Sequence, residues 1–117
     1  MNHQILPPDF TDSLQGYRRE LDALDAQFVS LLATRFSITR RIGALKAAHG
    51  VAAADPAREQ AQLEHLLLLS ADLDLPTEVT RALYEMLFGF VRANHLAQAG
   101  SARATPLGLE LELESEP

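Results

Sequence analysis

The chain has 117 residues, of which 47% are hydrophobic and 22% charged, a composition typical of one globular domain and unlike that of a wholly disordered chain. A formal net charge of −6 argues against general binding to nucleic acid or to an anionic membrane. The absence of cysteine excludes disulfides, thiolate metal sites and a cysteine nucleophile. We find no signal peptide and no apolar run of roughly 20 residues, so the cytoplasm is the predicted compartment.

The first predicted element is a long amphipathic helix from Ser13 to His49, between a flexible leader at residues 1–12 and Gly50. Its N-cap is expected among Thr11, Asp12 and Ser13. At ~1.5 Å per residue the helix would run about 55 Å, beyond the ~26–28 Å diameter of a compact domain of this size. A partner chain is therefore expected to cover part of its seam, which has coiled-coil spacing: Leu14, Tyr17, Leu21, Leu24, Phe28, Leu31, Arg35, Ile38, Ile42 and Leu45.

Two shorter helices follow, and no segment alternates like a strand, so the predicted fold is all-α. Asp55 and Pro56 suit the N-cap and first residue of a second helix that ends near Ser70. Its buried stripe would be Leu63, Leu66, Leu67 and Ser70. After a turn at residues 72–75, a third helix begins at Pro76 or Thr77 and fades between Gln98 and Gly100. Its inner face would carry Val79, Leu83, Met86, Leu87, Phe90, Asn94 and Ala97.

These elements define a helical domain at residues 13–99 and an acidic tail at residues 100–117. The tail has four glutamates and four leucines that alternate with other residues, and two glycines and a proline break any helical pattern. A single strand would have nothing to pair with, so the tail is predicted to be disordered.

Two cations on the long helix are candidate ligand-binding residues. Arg35 interrupts the apolar seam, where an unpaired guanidinium is costly, so it needs an anionic partner. That partner is either a ligand or a carboxylate of the protein, and a polar residue in the seam can also serve only to fix its register. Lys46 is the single lysine and lies 11 residues later on nearly the same face, about 16 Å along the axis. Together they suit a small dianion, although a lysine near a helix C-terminus is also favourable without a ligand.

Further candidates lie on the two shorter helices. Asp55 and Glu59 suit an N-cap and a capping-box residue, which is a purely structural interpretation. Arg58 in the first turn opposes the helix dipole unless an anion binds nearby. Asn94 and Gln98 lie four residues apart on one face, either as structural hydrogen-bonding groups or as ligand contacts.

The remaining candidate is Arg18, 17 residues before Arg35 and about 25 Å away along the helix. Both can reach one small molecule only if Arg18 comes from a second chain whose helix runs antiparallel. The histidines lack metal-ligand spacing, and no nucleophile elbow or phosphate loop is present. We therefore expect no metal, and a site of cations and amides that suits either anion binding or a reaction that needs electrostatic complementarity only.

The candidate residues form an ordered set, Arg18, Arg35, Lys46, Asp55, Arg58, Glu59 and Gln98, within four stretches: YRRELDALDAQFVSLLATR, ITRRIGALKAAHG, DPAREQ and LFGFVRANHLAQ. Through these stretches, over roughly residues 14–98, the chain resembles the all-helical, AroQ-type chorismate mutases. The resemblance implies an isomerase that converts chorismate to prephenate by a concerted Claisen rearrangement, without a covalent intermediate and without a cofactor. It also implies an intertwined homodimer of three helices per chain, one long and two shorter, with two equivalent sites shared between the chains.

The resemblance further implies a role for each matching residue. Arg18 of one chain and Arg35 of the other would bind the two carboxylates with their guanidinium forks. Lys46 and Gln98 would donate hydrogen bonds to the ether oxygen, where negative charge grows as the C–O bond breaks. At the start of the second helix, Glu59 would hold the ring hydroxyl, assisted by the backbone near Asp55. Arg58 would add a positive charge beside the substrate.

Two features depart from the family pattern, and several alternatives stay open. Asn94 stands where members often carry a small hydroxyl residue, and the acidic tail is no part of the pattern. Isochorismate-pyruvate lyases and aminodeoxychorismate mutases are built on a similar scaffold. Glu59 favours a chorismate mutase over the lyase. A further alternative is a helical dimer that binds a pathway metabolite or depends on a partner enzyme of the pathway, and a third is a purely structural dimer of helical hairpins.

Overall fold

The computed structural model describes residues 5–104, and the side chains of residues 5–101. Three helices follow one another: α1 (Pro8–Ala48), α2 (Pro56–Asp72) and α3 (Thr77–Ala104). Residues 5–104 contain no strand, so the predicted all-α class with one long and two shorter helices is confirmed. The intertwined homodimer stays a prediction. The predicted disordered tail began at residue 100, but residues 100–104 belong to α3, so that part of the prediction is wrong. The rest of the tail lies outside the described residues.

The chain divides into two compact units, one up to Ser37 and one from Ile38 onward. In the first unit, α1 begins at Pro8 and not after Ser13, so part of the segment assigned to a flexible leader is helical. Proline suits the first helical position, because the N–H that it lacks would have no partner in the helix. The Thr11 amide donates to the carbonyl of Pro7 (3.2 Å), so Thr11 is inside the helix and does not cap it.

The end of α1, in the second unit, is fixed by a Schellman motif. Gly50 adopts a φ of 65°, which glycine reaches without steric cost. The amide of Gly50 donates to the carbonyl of Ala47 (3.3 Å), and the amide of Val51 donates to the carbonyl of Lys46 (2.9 Å). The predicted helix end is confirmed to within one residue, and Lys46 is held in the last turn.

The helices α2 and α3 form a hairpin whose core consists of Leu63, Leu87 and Phe88. Asp74 turns the chain with a φ of 60°, and the amide of Leu75 donates to the carbonyl of Ser70 (2.9 Å). The Ser70 hydroxyl also bonds the hydroxyl of Thr80 at 2.7 Å, so these two buried polar side chains satisfy each other. This bond fixes the register of the two helices at the turn.

The start of α2 and the turn after it follow the sequence prediction, but the predicted inner face of α3 is partly wrong. Val79, Met86 and Phe90 are 53–62% exposed, whereas Thr80, Leu87, Phe88 and His95 are buried. The helix also continues past Gly100 to Ala104. Apolar residues occur on more than one face of α3, so periodicity alone could not choose the face that packs within the chain.

The predicted seam of α1 is exposed along most of its length in the single chain. Leu21, Leu24 and Leu31 expose 57%, 58% and 68% of their surface, and the other apolar seam residues from Tyr17 to Leu45 are exposed as well. Such a continuous apolar stripe is unusual on a monomer and is typical of a protein–protein interface. In the described part of the chain, no helix is long and apolar enough to span a membrane.

Candidate active site

The first turn of α2 brings together three predicted site residues. The Asp55 carboxylate accepts from the backbone N–H of Arg58 (3.1 Å), which confirms Asp55 as the N-cap. The Glu59 amide donates to the Asp55 carbonyl (3.1 Å), which closes the turn. Asp55 and Arg58 are exposed and Glu59 is half-buried. A helix N-terminus favours negative charge, and the Asp55 carboxylate supplies it here.

Glu59 does not turn back onto the cap as a capping-box residue would. Its carboxylate accepts a hydrogen bond from the guanidinium of Arg92 on α3. Both residues line a groove of about 290 Å³ between the two helices, with Pro56, Gln60, Leu63, Glu85 and Phe88. The orientation of Glu59 is therefore set by a contact between helices.

The side chain of Gln98 packs against α1 at Gly43, which has no side chain of its own. Its Nε2 donates to the carbonyl of Arg40 (3.0 Å), and one turn earlier on α3 the His95 Nε2 bonds the carbonyl of Thr39 (2.8 Å). Gly43 is buried beneath both side chains. In the described part of the chain, Oε1 of Gln98 is buried without a hydrogen-bond partner. The carboxamide is thus fixed by packing on one side and by one hydrogen bond.

A shallow groove of about 450 Å³ extends from Gln98 along the end of α1. Its other lining residues are small, namely Ala44, Ala47, Ala48, Ala97 and Ser101. Lys46 is half-buried in the last turn of α1, and Asn94 is half-buried one turn before Gln98. Small side chains leave room beside the amide of Gln98, which a ligand can fill.

Arg18 and Arg35 both lie in the first unit, on the part of α1 that ends at Ser37. Arg18 is exposed and Arg35 is half-buried. They are 17 residues apart on one continuous helix, about 25 Å along its axis, so one chain does not bring them together. Arg35 is the more buried of the two.

Three residues of the structure were missed by the sequence reasoning: Gly43, His95 and Arg92. Gly43 and His95 had a signal, because a glycine inside a helix can mark a close approach and His95 is three residues from Gln98 on one face. Arg92 had none, since its partner Glu59 is 33 residues away in sequence.

The predicted residues supply positive charge and neutral amide donors, which suit a small anion whose charge shifts during reaction. In residues 5–104, no three His, Asp or Glu side chains are grouped as metal ligands. Lys46 supplies a point charge, whereas arginine can meet a carboxylate with two parallel bonds. The chemistry that such a set can perform is binding and electrostatic stabilisation.

The family described as "Chorismate mutase type II" matches residues 17–95. Among curated proteins, the chain is 34% identical over 95 residues to "T-protein" of Haemophilus influenzae, an alignment that covers 73% of this chain. The chain spans about a quarter of the length of that relative. The chain therefore belongs to the chorismate mutase type II family, and the family predicted from the sequence is confirmed.

Proposed function

We propose that the chain is an isomerase that rearranges chorismate to prephenate. The observation that carries this proposal is the family match over residues 17–95, which includes every predicted site residue except Gln98. Gln98 lies three residues beyond the match, on the same helix as Asn94. The arrangement of charge and amides supports a reaction that needs neither a nucleophile nor a cofactor.

In the proposed site, Lys46 and Gln98 stabilise the ether oxygen as the C–O bond breaks. An amide nitrogen carries two N–H donors, and the bond from Gln98 to the Arg40 carbonyl uses one of them. The second N–H is left for a ligand. Removing one preorganised donor of this kind costs ~2.7–4 kcal/mol of barrier in well-studied enzymes.

The two carboxylates of the substrate are assigned to Arg35 and to Arg18, the latter from a second copy of the chain. Arg58 adds a further cation, and Asn94 is assigned to carboxylate binding through its amide. Glu59 accepts from the ring hydroxyl, supported by the backbone beside Asp55. Together these contacts hold the flexible substrate in its reactive conformation, which contributes to rate by orientation.

The proposed assembly is a homodimer in which the exposed seam of α1 is covered by a second chain. Burial of a large apolar side chain contributes about 1.5–3 kcal/mol, so several such residues can stabilise a dimer. The separation of Arg18 from Arg35 supports sites shared between chains. The cytoplasmic compartment and activation by a pathway enzyme remain predictions from the sequence.

The direct test is incubation of the purified chain with chorismate and, separately, with isochorismate. We expect loss of chorismate absorbance with prephenate as product. A Lys46→Met variant, which keeps the unbranched side chain to within one atom of its length but removes its charge, should lose about 10²-fold or more in kcat. Arg81→Gln is the matched control, because Arg81 is exposed and pairs with Glu85 on its own helix.

Other products would redirect the assignment. Salicylate and pyruvate from isochorismate, with little prephenate from chorismate, would indicate an isochorismate-pyruvate lyase on the same scaffold. Turnover of the 4-amino analogue in preference to chorismate would indicate an aminodeoxychorismate mutase. Binding without turnover would support a metabolite-binding dimer in place of an enzyme. The absence of both binding and turnover would overturn the proposal.

A further inference from the structure

The contact between Arg92 and Glu59 differs in kind from an ordinary surface ion pair. It joins α3 to the start of α2, between residues that are 33 positions apart in sequence. The side chain of Arg92 exposes 44% of its surface and that of Glu59 exposes 25%. By contrast, the pair between Arg81 and Glu85 spans one helical turn at 3.8 Å, with side chains 54% and 60% exposed. The Arg92 pair is therefore less screened by water and better fixed in geometry.

This contact changes what Glu59 can offer to a ligand. An ionised carboxylate accepts hydrogen bonds and donates none, and Oε1 of Glu59 already accepts from Nη1 of Arg92. Oε2 can still accept from a ligand hydroxyl. The negative charge of Glu59, however, is balanced by the guanidinium at its other oxygen. The pair together presents a hydrogen-bond acceptor that carries little net charge.

We propose that Arg92 is a specificity-determining residue that acts through Glu59, selecting a neutral hydroxyl over an ammonium group on the substrate ring. This inference rests on the proposed function, in which Glu59 faces that ring position. A hydroxyl needs only the acceptor, which the pair provides. An ammonium group would gain from the charge of Glu59 but would be repelled by Arg92, so the pair cancels the advantage that a lone carboxylate would give it.

The experiment compares two ligands on the full chain. One is chorismate, measured as kcat/KM. The other is its 4-amino analogue, which carries a primary amine in place of the ring hydroxyl, measured as an inhibition constant or as turnover. The selectivity ratio is kcat/KM for chorismate divided by the same quantity for the amine, or multiplied by the inhibition constant of the amine where the amine is not turned over. It is determined for wild type, Arg92→Gln and Arg92→Lys, with Arg81→Gln as the matched control on the same helix.

We expect Arg92→Gln to tighten binding of the amine analogue and to weaken use of chorismate, so that the ratio falls by about fivefold or more. Arg92→Lys retains a positive charge and should keep most of the ratio. Arg81→Gln should leave it at the wild-type value. In a Glu59→Gln background, Arg92→Gln should change the ratio little, because the carboxylate through which Arg92 acts is gone.

Three results would overturn the inference. An unchanged ratio in Arg92→Gln, with only a lower melting temperature, would make Arg92 a purely structural residue. A fall of the same size in the Glu59→Gln background would mean that Arg92 does not act through Glu59. If wild type converts chorismate, either result removes this inference alone. If wild type neither binds nor converts chorismate, the proposed function fails and takes the inference with it.

Discussion

The carboxamide of Gln98 lies directly over Gly43, so closely that a Cβ at residue 43 would stand 1.9 Å from Oε1 of Gln98. The same Cβ would stand 2.5 Å from Cδ2 of His95. Both distances are below any normal contact, so the side chains of Gln98 and His95 would have to shift to admit a Cβ at residue 43. The position of a proposed hydrogen-bond donor thus depends on the absence of a side chain on the neighbouring helix.

We expect Gly43→Ala to displace Gln98 and His95 together. Overpacking of this kind costs about 1–3 kcal/mol of stability. A displacement of 1 Å at the donor can lower kcat by about 10²-fold. Urea unfolding at matched chain concentration and steady-state kinetics measure the two effects. The control is Gly16→Ala, because a Cβ at residue 16 meets nothing within 4 Å and alanine should stabilise the helix by about 0.5–1 kcal/mol. Equal behaviour of the two variants would contradict the close approach.

Replacement of Gln98 by glutamate should make the activity depend on pH. The amide of Gln98 is a neutral donor at every working pH, whereas a carboxyl group donates only when protonated. An unperturbed glutamate has a pKa near ~4.3, so the Gln98→Glu variant should be most active in acid and lose activity as pH rises through its pKa. Profiles of kcat/KM for both proteins, with circular dichroism as the check on folding, measure this. Parallel profiles would exclude a donor role for Gln98.

Much of the fold was predictable because its signals are local. Asp55 before Pro56 marks a helix start, and Gly50 marks a helix end, and both effects act within one turn. The hairpin turn at Asp74 was likewise expected from the sequence between the two helices. Such features depend on neighbours in the chain, so a single sequence contains the information.

The errors concern choices that only packing decides. Phe90 and Phe88 are two residues apart, yet Phe90 is exposed and Phe88 is buried against α2. The bond between Arg92 and Glu59 depends on how α2 and α3 pair, which no spacing in the sequence specifies. The candidate site residues were proposed from the sequence as types suited to an anion, and their hydrogen-bond partners became evident only from the structure.

The N-cap of α2 should contribute to both stability and the site. We expect Asp55→Ala to lower the free energy of unfolding by about 1 kcal/mol, because the backbone N–H of Arg58 loses its acceptor. Asp55→Asn retains a capping oxygen and should stay within a few tenths of a kcal/mol of wild type. The alanine variant should also raise KM, since the turn that positions Glu59 is loosened. A stability of the alanine variant equal to that of wild type would show that the cap contributes nothing.

The seam of α1 should determine the oligomeric state. We expect Leu24→Asp to abolish the proposed dimer, because a charge would be buried where the second chain covers an apolar side chain. Val29→Asp is the matched control, since Val29 is 63% exposed but lies outside the seam. Sedimentation or light scattering gives the mass of each variant. A dimer that persists in Leu24→Asp would place the interface elsewhere.

Shared sites predict a specific pattern when two inactive variants are mixed. If Arg18 of one chain and Arg35 of the other form each site, Arg18→Ala and Arg35→Ala should each lose activity. Refolding them together produces heterodimers in which one site has both arginines and the other has neither. Because random pairing makes half of the dimers heterodimeric, the mixture should regain about a quarter of the wild-type activity. Two variants of the same residue, Arg18→Ala and Arg18→Gln, should regain nothing when mixed. Sites built within one chain would leave every mixture inactive.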